Sequence, residues 1–364
     1  MSASTTARRA ARWFTLAVAA ILVPLVGAPA HAGTEAAQRT RFTETDLVSD
    51  QAGKAQLLDP LLVNAWGLAL SPTSPLWVAD NGTNSSTLYR GSTAAAPAVT
   101  KAPLDVSIPG GAPTGQAFND TTGFVVTGPG GAGPAAFIFV SEGGDITGWN
   151  PTADRTHAIL VKHVDGAVYK GLALLHTDRG ALLLAANFAQ ARVDVFDSMF
   201  NRVKLPASRF RDRRLPAGYA PFNVMADGNA VYVAYAKQGE GIDEQAGAGF
   251  GFVDRYTGLG REPERIASRG TLNAPWGLAI APASFGRFAG DLLVGNFGDG
   301  RISAFHDDDV AGLLRGTDGT PIVIDGLWAL LPGTATVGGT DSVLFSAGPD
   351  DESHGLVGKL TPAG

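Results

Sequence analysis

The sequence has no cysteine and few charged residues. Its 364 residues include 28 Lys and Arg against 34 Asp and Glu, a formal net charge of −6, and only 17% of them are charged. Without cysteine the chain can form no disulfide, no thiolate nucleophile and no Cys-ligated metal site. The acidic balance, with no basic cluster evident, argues against a nucleic-acid partner, because such a partner requires Lys and Arg to replace phosphate counterions.

Only one apolar run approaches membrane length, and it lies at the N-terminus. Three arginines precede the apolar residues 13–26, and Ala30-His31-Ala32 follows as a small-residue cleavage site. This layout predicts a secretory signal peptide over residues 1–32, cleaved after Ala32. The run is short for a membrane span. We therefore expect an exported protein, periplasmic or extracellular, with no membrane span after cleavage and one domain over residues 33–364.

Apolar residues and turn formers are abundant. The chain is 45% hydrophobic and contains 47 glycines and 22 prolines. The apolar fraction is large enough for a sizeable core, and the excess of Gly and Pro indicates many turns. No segment shows helical periodicity over twelve residues, so short strands joined by turns are expected.

A repeated unit organises the chain. Six short apolar runs recur about 53 residues apart, at 76–80, 137–142, 182–187, 231–237, 292–296 and 343–348. Each precedes a turn rich in Gly, Asn and Asp and then a second apolar or aromatic run, a pattern that predicts a β-hairpin. NAWGLALSP (64–72) and NAPWGLAIAP (273–282) are nearly identical, which indicates internal duplication.

Each hairpin has further strand candidates beside it. Inner strands are predicted within 66–72, 122–128, 170–176, 222–228, 276–282 and 327–333, and outer strands within 104–109, 158–163 and 321–326. Four strands in roughly 50 residues, six times over, predict an all-β, six-bladed β-propeller of four-stranded blades. The sixth blade lacks an outer strand, and residues 42–50 can supply it. The ring would then be closed by an N-terminal strand pairing with the last blade, and we expect a monomer.

The same stretches carry a family resemblance. The blade pattern resembles the NHL-type six-bladed propellers. NAWGLAL (64–70), LWVADNGT (76–83), FIFVSEGGDITGWNP (137–151) and AGPDDESHGL (347–356) resemble an uncharacterised family of exported bacterial propellers. The resemblance implies a fold and an export route, and it implies no particular activity.

One face of the propeller should gather the polar candidates. The loops between second and third strands share that face with the loops entering the inner strands. The residues expected there are Asn64, Asp80, Asn119, Asp120, Glu142, Tyr169, Lys170, Asn187, Asn223, Tyr235, Lys237, Asn273, Asn296, Asp299, Asp350 and His354. The alternative role for the Asn residues is to cap turns.

Three functions compete for this mouth, and whether the protein is an enzyme stays open. The favoured hypothesis is a binding module for a small molecule, glycan or protein, whose binding residues would be Asn64, Trp66, Lys170, Asn223, Lys237, Asn273, Trp276 and Asn296. The second is a calcium-dependent lactonase or esterase with Glu142, Asn64, Asn223 and Asn273 as ligands. The third is a lyase with Lys170, Tyr169 or His354 as base. The tryptophans could equally be packing anchors between blades, and the insertion 239–249 could be a lid or a plain loop.

Overall fold

Short strands of β-branched and aromatic residues pair into antiparallel sheets arranged as the blades of a propeller. The structure is a computed structural model and describes residues 41–363. The predicted signal peptide therefore lies outside the described residues. In chain order the strands are β1 Phe42–Ser49, β2 Leu57–Leu58, β3 Ala65–Ala69, β4 Leu76–Asp80, β5 Ser85–Gly91, β6 Val99–Lys101, β7 Val106–Ser107, β8 Pro113–Phe118, β9 Val125–Gly128, β10 Gly131–Pro134, β11 Phe137–Ser141, β12 Asp145–Trp149, β13 Ile159–His163, β14 Tyr169–Thr177, β15 Gly180–Asn187, β16 Arg192–Phe196, β17 Tyr219–Asp227, β18 Ala230–Gln238, β19 Glu244–Gln245, β20 Gly251–Thr257, β21 Arg261–Ser268, β22 Pro275–Ile280, β23 Leu292–Asn296, β24 Ile302–His306, β25 Asp309–Leu313, β26 Leu327–Pro332, β27 Val343–Ala347 and β28 Leu356–Pro362.

These strands form six blades, which confirms the predicted six-bladed propeller. From the inside outward the blades are β3-β4-β5-β6, β8-β11-β12-β13, β14-β15-β16, β17-β18-β20-β21, β22-β23-β24-β25 and β26-β27-β28-β1. Five of them have four main strands, and the third has three. The only helical turns in the described part are two single turns of 3-10 helix, Asn81–Thr83 and Gly286–Phe288. No helix among residues 41–363 is long and apolar enough to cross a bilayer.

The ring closes through the two ends of the described chain, as predicted. Strand β1 runs antiparallel to β28, and Phe42 lies opposite Pro362 while Ser49 lies opposite Leu356. Phe42, Leu47 and Val48 are almost fully buried. Closure removes the free sheet edge that an open array would leave. The N-terminal strand therefore completes the sixth blade.

Two strands were predicted at the wrong positions in the sequence. The predicted inner strand of blade 2, within 122–128, contributes only β9, which pairs with β10 as a separate hairpin. The true inner strand is β8, whose polar Thr114 and Gln116 gave no apolar run. The predicted outer strand at 321–326 is a loop that buries Ile322 and Ile324, and β25 occupies the outer position of blade 5.

The apolar cores lie mainly between neighbouring blades. One cluster joins residues of β26 and β27 to Phe42, Phe285 and Phe288, and another gathers the aromatic residues along the propeller axis. Each blade thus buries both faces of its central strands. The sequences of those strands are therefore continuous apolar runs, without the alternation of apolar and polar residues that a half-exposed strand shows.

Candidate functional site

A ring of six equivalent side chains fills the axis of the propeller. Each comes from the second residue of an inner strand or, in blade 4, from the matching position at a bulge, and the members are Trp66, Thr114, Lys170, Phe222, Trp276 and Trp328. Trp66 and Trp328 stack with ring centroids 3.5 Å apart, and Trp276 meets both edge-on at 6.1 and 5.9 Å. We call these six residues the axial ring. The three tryptophans are at most 4% exposed, so they are packing anchors and offer no open stacking surface to a ligand.

The residue after each axial side chain sets how closely the blades approach. A Cβ on Gly67 would come within 2.4 Å of the Thr114 carbonyl oxygen, and one on Gly171 within 2.7 Å of the Asn223 Cα. The inner-strand ladders also shift register here, as between Tyr169 and Gly171. The repeated Trp-Gly pair in the sequence is therefore the signature of a bulge at which neighbouring backbones nearly touch.

Lys170 is the one charged member of the axial ring. Its side chain is 2% exposed, and its Nζ lies 2.5 Å from Glu142 Oε1 and 5.1 Å from the centre of the Trp66 ring. A buried ammonium needs a charged or hydrogen-bonding partner, because burial removes its hydration. Lys170 thus places a positive charge where three other blades contribute tryptophan, and it turns that charge toward the carboxylates of the mouth.

Two carboxylates lie within 4 Å of this ammonium, and two more lie close enough to interact with its charge. Besides Glu142, Asp243 Oδ1 lies 3.9 Å from Lys170 Nζ. Burial raises the pKa of Glu244 to about 7, and the negative charges of Glu352 and Asp243 add to that rise while Lys170 opposes it. Burial likewise raises the pKa of Glu352, with Glu142 and Asp243 contributing in the same direction. Above pH 7, where Glu244 ionises, the mouth therefore holds more negative charge than its single lysine can neutralise.

A chain of side-chain amides fixes two of these carboxylates. Asn64 Nδ2 donates to Glu352 Oε2 at 2.6 Å and to Asn81 Oδ1 at 3.3 Å. Asn81 Nδ2 in turn donates to Glu142 Oε2 at 3.2 Å. The Trp328 indole N–H donates to Asn64 Oδ1 at 3.1 Å, which connects this network to the axial ring below it. Glu142 and Glu352 are thus held in defined positions.

The backbone that carries Glu352 is strained. Asp350, Asp351 and Glu352 have φ values of 56°, 52° and 64°, so three successive residues with side chains adopt the left-handed conformation. Each such residue costs roughly 1–2 kcal/mol relative to the right-handed form. Local strain of this kind concentrates at sites whose geometry is fixed for function.

The insertion 239–249 folds back over the mouth. Its residues Glu244 and Gln245 pair with Gln238 and Lys237, so the insertion begins as a short hairpin. The hairpin brings Asp243 and Glu244 to Lys170, which belongs to the neighbouring blade. The insertion therefore has the position of a lid.

Of the other predicted binding residues, Trp276 donates its indole N–H to the Lys170 carbonyl oxygen at 3.0 Å, and the remaining four lie away from the Lys170 ammonium. Asn223 Nδ2 donates to the Trp276 carbonyl oxygen at 2.8 Å, on the side of the axial ring that faces the opposite end of the channel. Asn273 accepts from the Gly247 N–H, Asn296 donates to Asp299, and the Lys237 ammonium lies 4.3 Å from the centre of the Phe250 ring. Of the predicted binding set, the structure brings Asn64, Trp66, Lys170 and Trp276 together.

The predicted calcium ligands have their side-chain oxygens already engaged. Glu142 accepts from Lys170 and Asn81, and Asn64 Oδ1 accepts from the Trp328 indole. Asn223 Oδ1 accepts from the Val224 N–H, and Asn273 Oδ1 from the Gly247 N–H. A calcium ion needs six to eight oxygens that converge on one point. This donor set does not fit such an ion, and no group of three or more His, Cys, Asp or Glu within residues 41–363 is arranged to hold a metal.

The three candidate bases lie in different surroundings, and they do not form one site. The Tyr169 hydroxyl is buried in the blade core and donates to Asp194 at 3.0 Å, and His354 Nδ1 lies 2.8 Å from Asp50 Oδ2. Lys170 alone of the three reaches the carboxylates of the mouth. Sequence reasoning did not single out Asn81, Asp243, Glu244 or Glu352 as site residues, although their segments were recognised as a turn, an insertion and a family stretch.

The raised pKa of Glu244 predicts a pH-dependent stability. A carboxyl with a raised pKa in the folded state stabilises the fold below its unfolded pKa of about 4.5, and that contribution disappears as the pH rises through about 7. Glu244→Gln should therefore match the parent protein at pH 4 and exceed its free energy of unfolding at pH 8, by at most about 3 kcal/mol. Urea unfolding at both pH values measures this. Glu240→Gln, an exposed change in the same insertion, is the control, and an equal gain in both variants would contradict the assignment.

Comparison with other proteins gives the fold and a family. No protein-family model matches the chain. A structural genomics protein of unknown function from Bacteroides thetaiotaomicron has a similar fold, with a TM-score of 0.53 and 12% identity over 88% of this chain and 76% of that one. Uncharacterized protein R648 of Acanthamoeba polyphaga mimivirus is 34% identical over 86% of this chain and 78% of its own length.

A second mimivirus relative, Uncharacterized protein L690, is 33% identical over 86% of this chain and 84% of its own length. These relatives are viral, so they do not support the bacterial family expected from the sequence. Identity above 30% along most of both chains shows common descent. The chain, a six-bladed propeller, belongs to the family that includes mimivirus proteins R648 and L690.

Proposed function

We propose that the protein is an exported binding module whose mouth takes a small cationic ligand, one that carries an ammonium or guanidinium group. The observation that supports this most directly is the group of four carboxylates around one buried ammonium. A second positive charge near Glu352 and Glu244 would offset their mutual repulsion. The ligand would thus complete a charge balance that the protein leaves incomplete.

Burial makes this attraction effective. Glu352 and Glu244 are both partly buried, and Coulomb attraction between charges is several times stronger in such surroundings than in bulk water. Asn64 and Asn81 hold the carboxylates in place, so little ordering is required when a ligand arrives. The insertion 239–249 would close over the ligand and supply Asp243 from above.

A lyase that uses Lys170 as its base is the second candidate. Lys170 is the one predicted base whose side chain reaches the mouth, and Glu142 lies within hydrogen-bond distance to accept or return a proton. This alternative needs an open path from the mouth to Nζ, whereas the lysine side chain is 2% exposed. The binding module therefore has the stronger support.

The affinity of the protein for small amines tests this proposal. Agmatine and putrescine serve as probe cations, and glutarate as a matched anion, in titration calorimetry and thermal unfolding at pH 8. We expect the amines to bind and raise the melting temperature, because binding to the native state stabilises it. Glu352→Gln should weaken amine binding at least fivefold, because it removes one of the charges that attract the ligand.

Asp178→Asn, an exposed change outside the mouth, is the matched control and should leave amine binding unchanged. Stabilisation by glutarate instead of the amines would show that Lys170 recruits an anion, which overturns the proposal. Stoichiometric calcium binding without amine binding would support the metal-dependent hydrolase instead.

A further inference from the structure

The third blade leaves its outer position unfilled. It consists of β14, β15 and β16, whereas the other five blades each have a fourth strand. Beyond β16 the chain continues as the loop 197–218, and a cleft of about 990 Å³ lies between that loop and the edge of β16. None of the residues that line the cleft belongs to the group of carboxylates around Lys170.

The edge of β16 offers backbone groups to this cleft. The loop pairs only with the C-terminal end of β16. There Val203 N–H donates to the Val195 carbonyl at 2.7 Å, and Arg202 lies opposite Phe196. In an antiparallel strand, the N–H and C=O of one residue face the same edge of the strand, and those of the next residue face the opposite edge. Val193 therefore directs its N–H and C=O outward as Val195 does, and neither group has a backbone partner on that side among residues 41–363.

The cleft is also positively charged in an acidic protein. Six cationic residues line it, namely Arg192, Arg202, Lys204, Arg209, Arg211 and Arg213. Five of them come from the single stretch 202–213, so the expectation of no basic cluster in the sequence was wrong. The lining carboxylates are two, Asp194 and Asp212, and both are buried.

Those two carboxylates are already neutralised. Asp194 pairs with Arg192 and Arg202, and Asp212 pairs with Arg214 and Arg265. In contrast, three exposed cations of the loop form no ion pair with any other residue in the described part of the chain: Lys204, Arg211 and Arg213. Their charge is available to a ligand.

Apolar side chains line the same cleft between the charged residues. Val203 and Leu205 come from the start of the loop, Leu215 and Tyr219 from its end, and Phe210 from the middle. All five are buried or partly buried. An occupant would therefore meet an apolar floor, cationic walls and an open strand edge.

We propose that this cleft binds an extended acidic peptide segment of a partner protein, which adds to blade 3 as its missing fourth strand. Backbone hydrogen bonds to Val193, on the part of β16 that the loop leaves open, would give the peptide its register, and alternate side chains would face the apolar floor. Asp or Glu side chains on the opposite face would meet Lys204, Arg211 and Arg213. The site is independent of the mouth and of any ligand bound there.

Fluorescence anisotropy with a labelled heptapeptide of alternating glutamate and valine tests this. We expect saturable binding, no binding of the matched lysine–valine peptide, and at least a tenfold loss when alternate backbone nitrogens of the probe are methylated. The triple variant Lys204→Glu, Arg211→Glu and Arg213→Glu should also weaken binding at least tenfold. Its matched control reverses three exposed arginines outside the cleft, Arg155, Arg179 and Arg301, and should bind as the parent protein does.

Equal weakening in the two triple variants would overturn the proposal, because it would show a general charge effect. Unchanged binding of the methylated probe would show that no strand is added. Tight binding of heparin or of a single-stranded oligonucleotide, with no binding of the acidic peptide, would assign the cleft to another polyanion. Thermal unfolding of each variant confirms that the blade remains folded.

Discussion

Deletion of residues 41–50 is expected to abolish the cooperative unfolding transition of the native ring at ordinary temperatures. This segment contains all of β1, and with it the outer strand of blade 6. Phe42 packs against Phe285 and Phe288 with ring centroids 4.6 and 5.9 Å away, and Leu47 and Val48 are equally buried. Three such side chains contribute about 5–9 kcal/mol together, at about 1.5–3 kcal/mol each. That sum is comparable with the whole stability of a typical domain, about 5–15 kcal/mol.

Circular dichroism during heating measures the effect of the deletion. A milder variant, Phe42→Ala, should lose about 3–5 kcal/mol, because it removes a buried aromatic ring. Thr43→Ala, on the exposed side of the same strand, should change stability by less than about 0.5 kcal/mol. A deletion variant with the melting temperature of the parent protein would refute the role of β1 in closure.

The second large effect is expected from Trp328→Ala, which should lower the free energy of unfolding by about 3–5 kcal/mol. Trp328 is fully buried at the centre of the axial ring, and it stacks on Trp66 at 3.5 Å and on Phe297 at 4.1 Å. Its indole N–H also donates to Asn64, so the change leaves a buried amide oxygen without that donor. Both losses act on the same point of the structure.

Urea unfolding followed by circular dichroism gives the free energy of each variant. Trp328→Phe keeps an aromatic ring but loses the indole N–H, so it should cost less than the alanine variant and still disturb Asn64. Because Asn64 holds Glu352, both variants should also weaken amine binding at the mouth. Normal stability of Trp328→Ala would show that the axial ring can collapse around the missing side chain.

Much of the fold could be predicted because propeller blades repeat a local pattern. The spacing of apolar runs located the hairpins, and the unfilled place in the last blade identified residues 42–50 as the closing strand. The inner strand of blade 2 escaped prediction because its buried Thr114 and Gln116 are polar. The Thr114 hydroxyl donates to the Tyr169 carbonyl, and the Gln116 amide donates to the carbonyls of Gly67 and Trp77. Such bonds between blades compensate for burial and leave no trace in hydropathy.

The candidate site was harder to predict for a topological reason. Glu142, Lys170, Glu244 and Glu352 come from different blades and lie up to 210 positions apart in the sequence. Only closure of the ring brings them together. The sequence identified Lys170 and Glu142 from their place at strand ends, but it could not show that they pair, nor that the insertion carrying Glu244 folds inward.

The pairing of β1 with β28 has a consequence for how the protein reaches its native state. Phe42 and Pro362 are partners in the ladder, so closure must wait until all the blades between them have been synthesised. Contacts of such long sequence separation slow folding, because the entropy of closing the loop is lost before the contact is gained. Until then, strand β1 lacks its partner β28 and the outer edge of β27 is open. Both can pair with strands of other molecules. We therefore expect refolding to end in a slow, concentration-sensitive step in which blade 6 is completed last, with aggregation as its competitor.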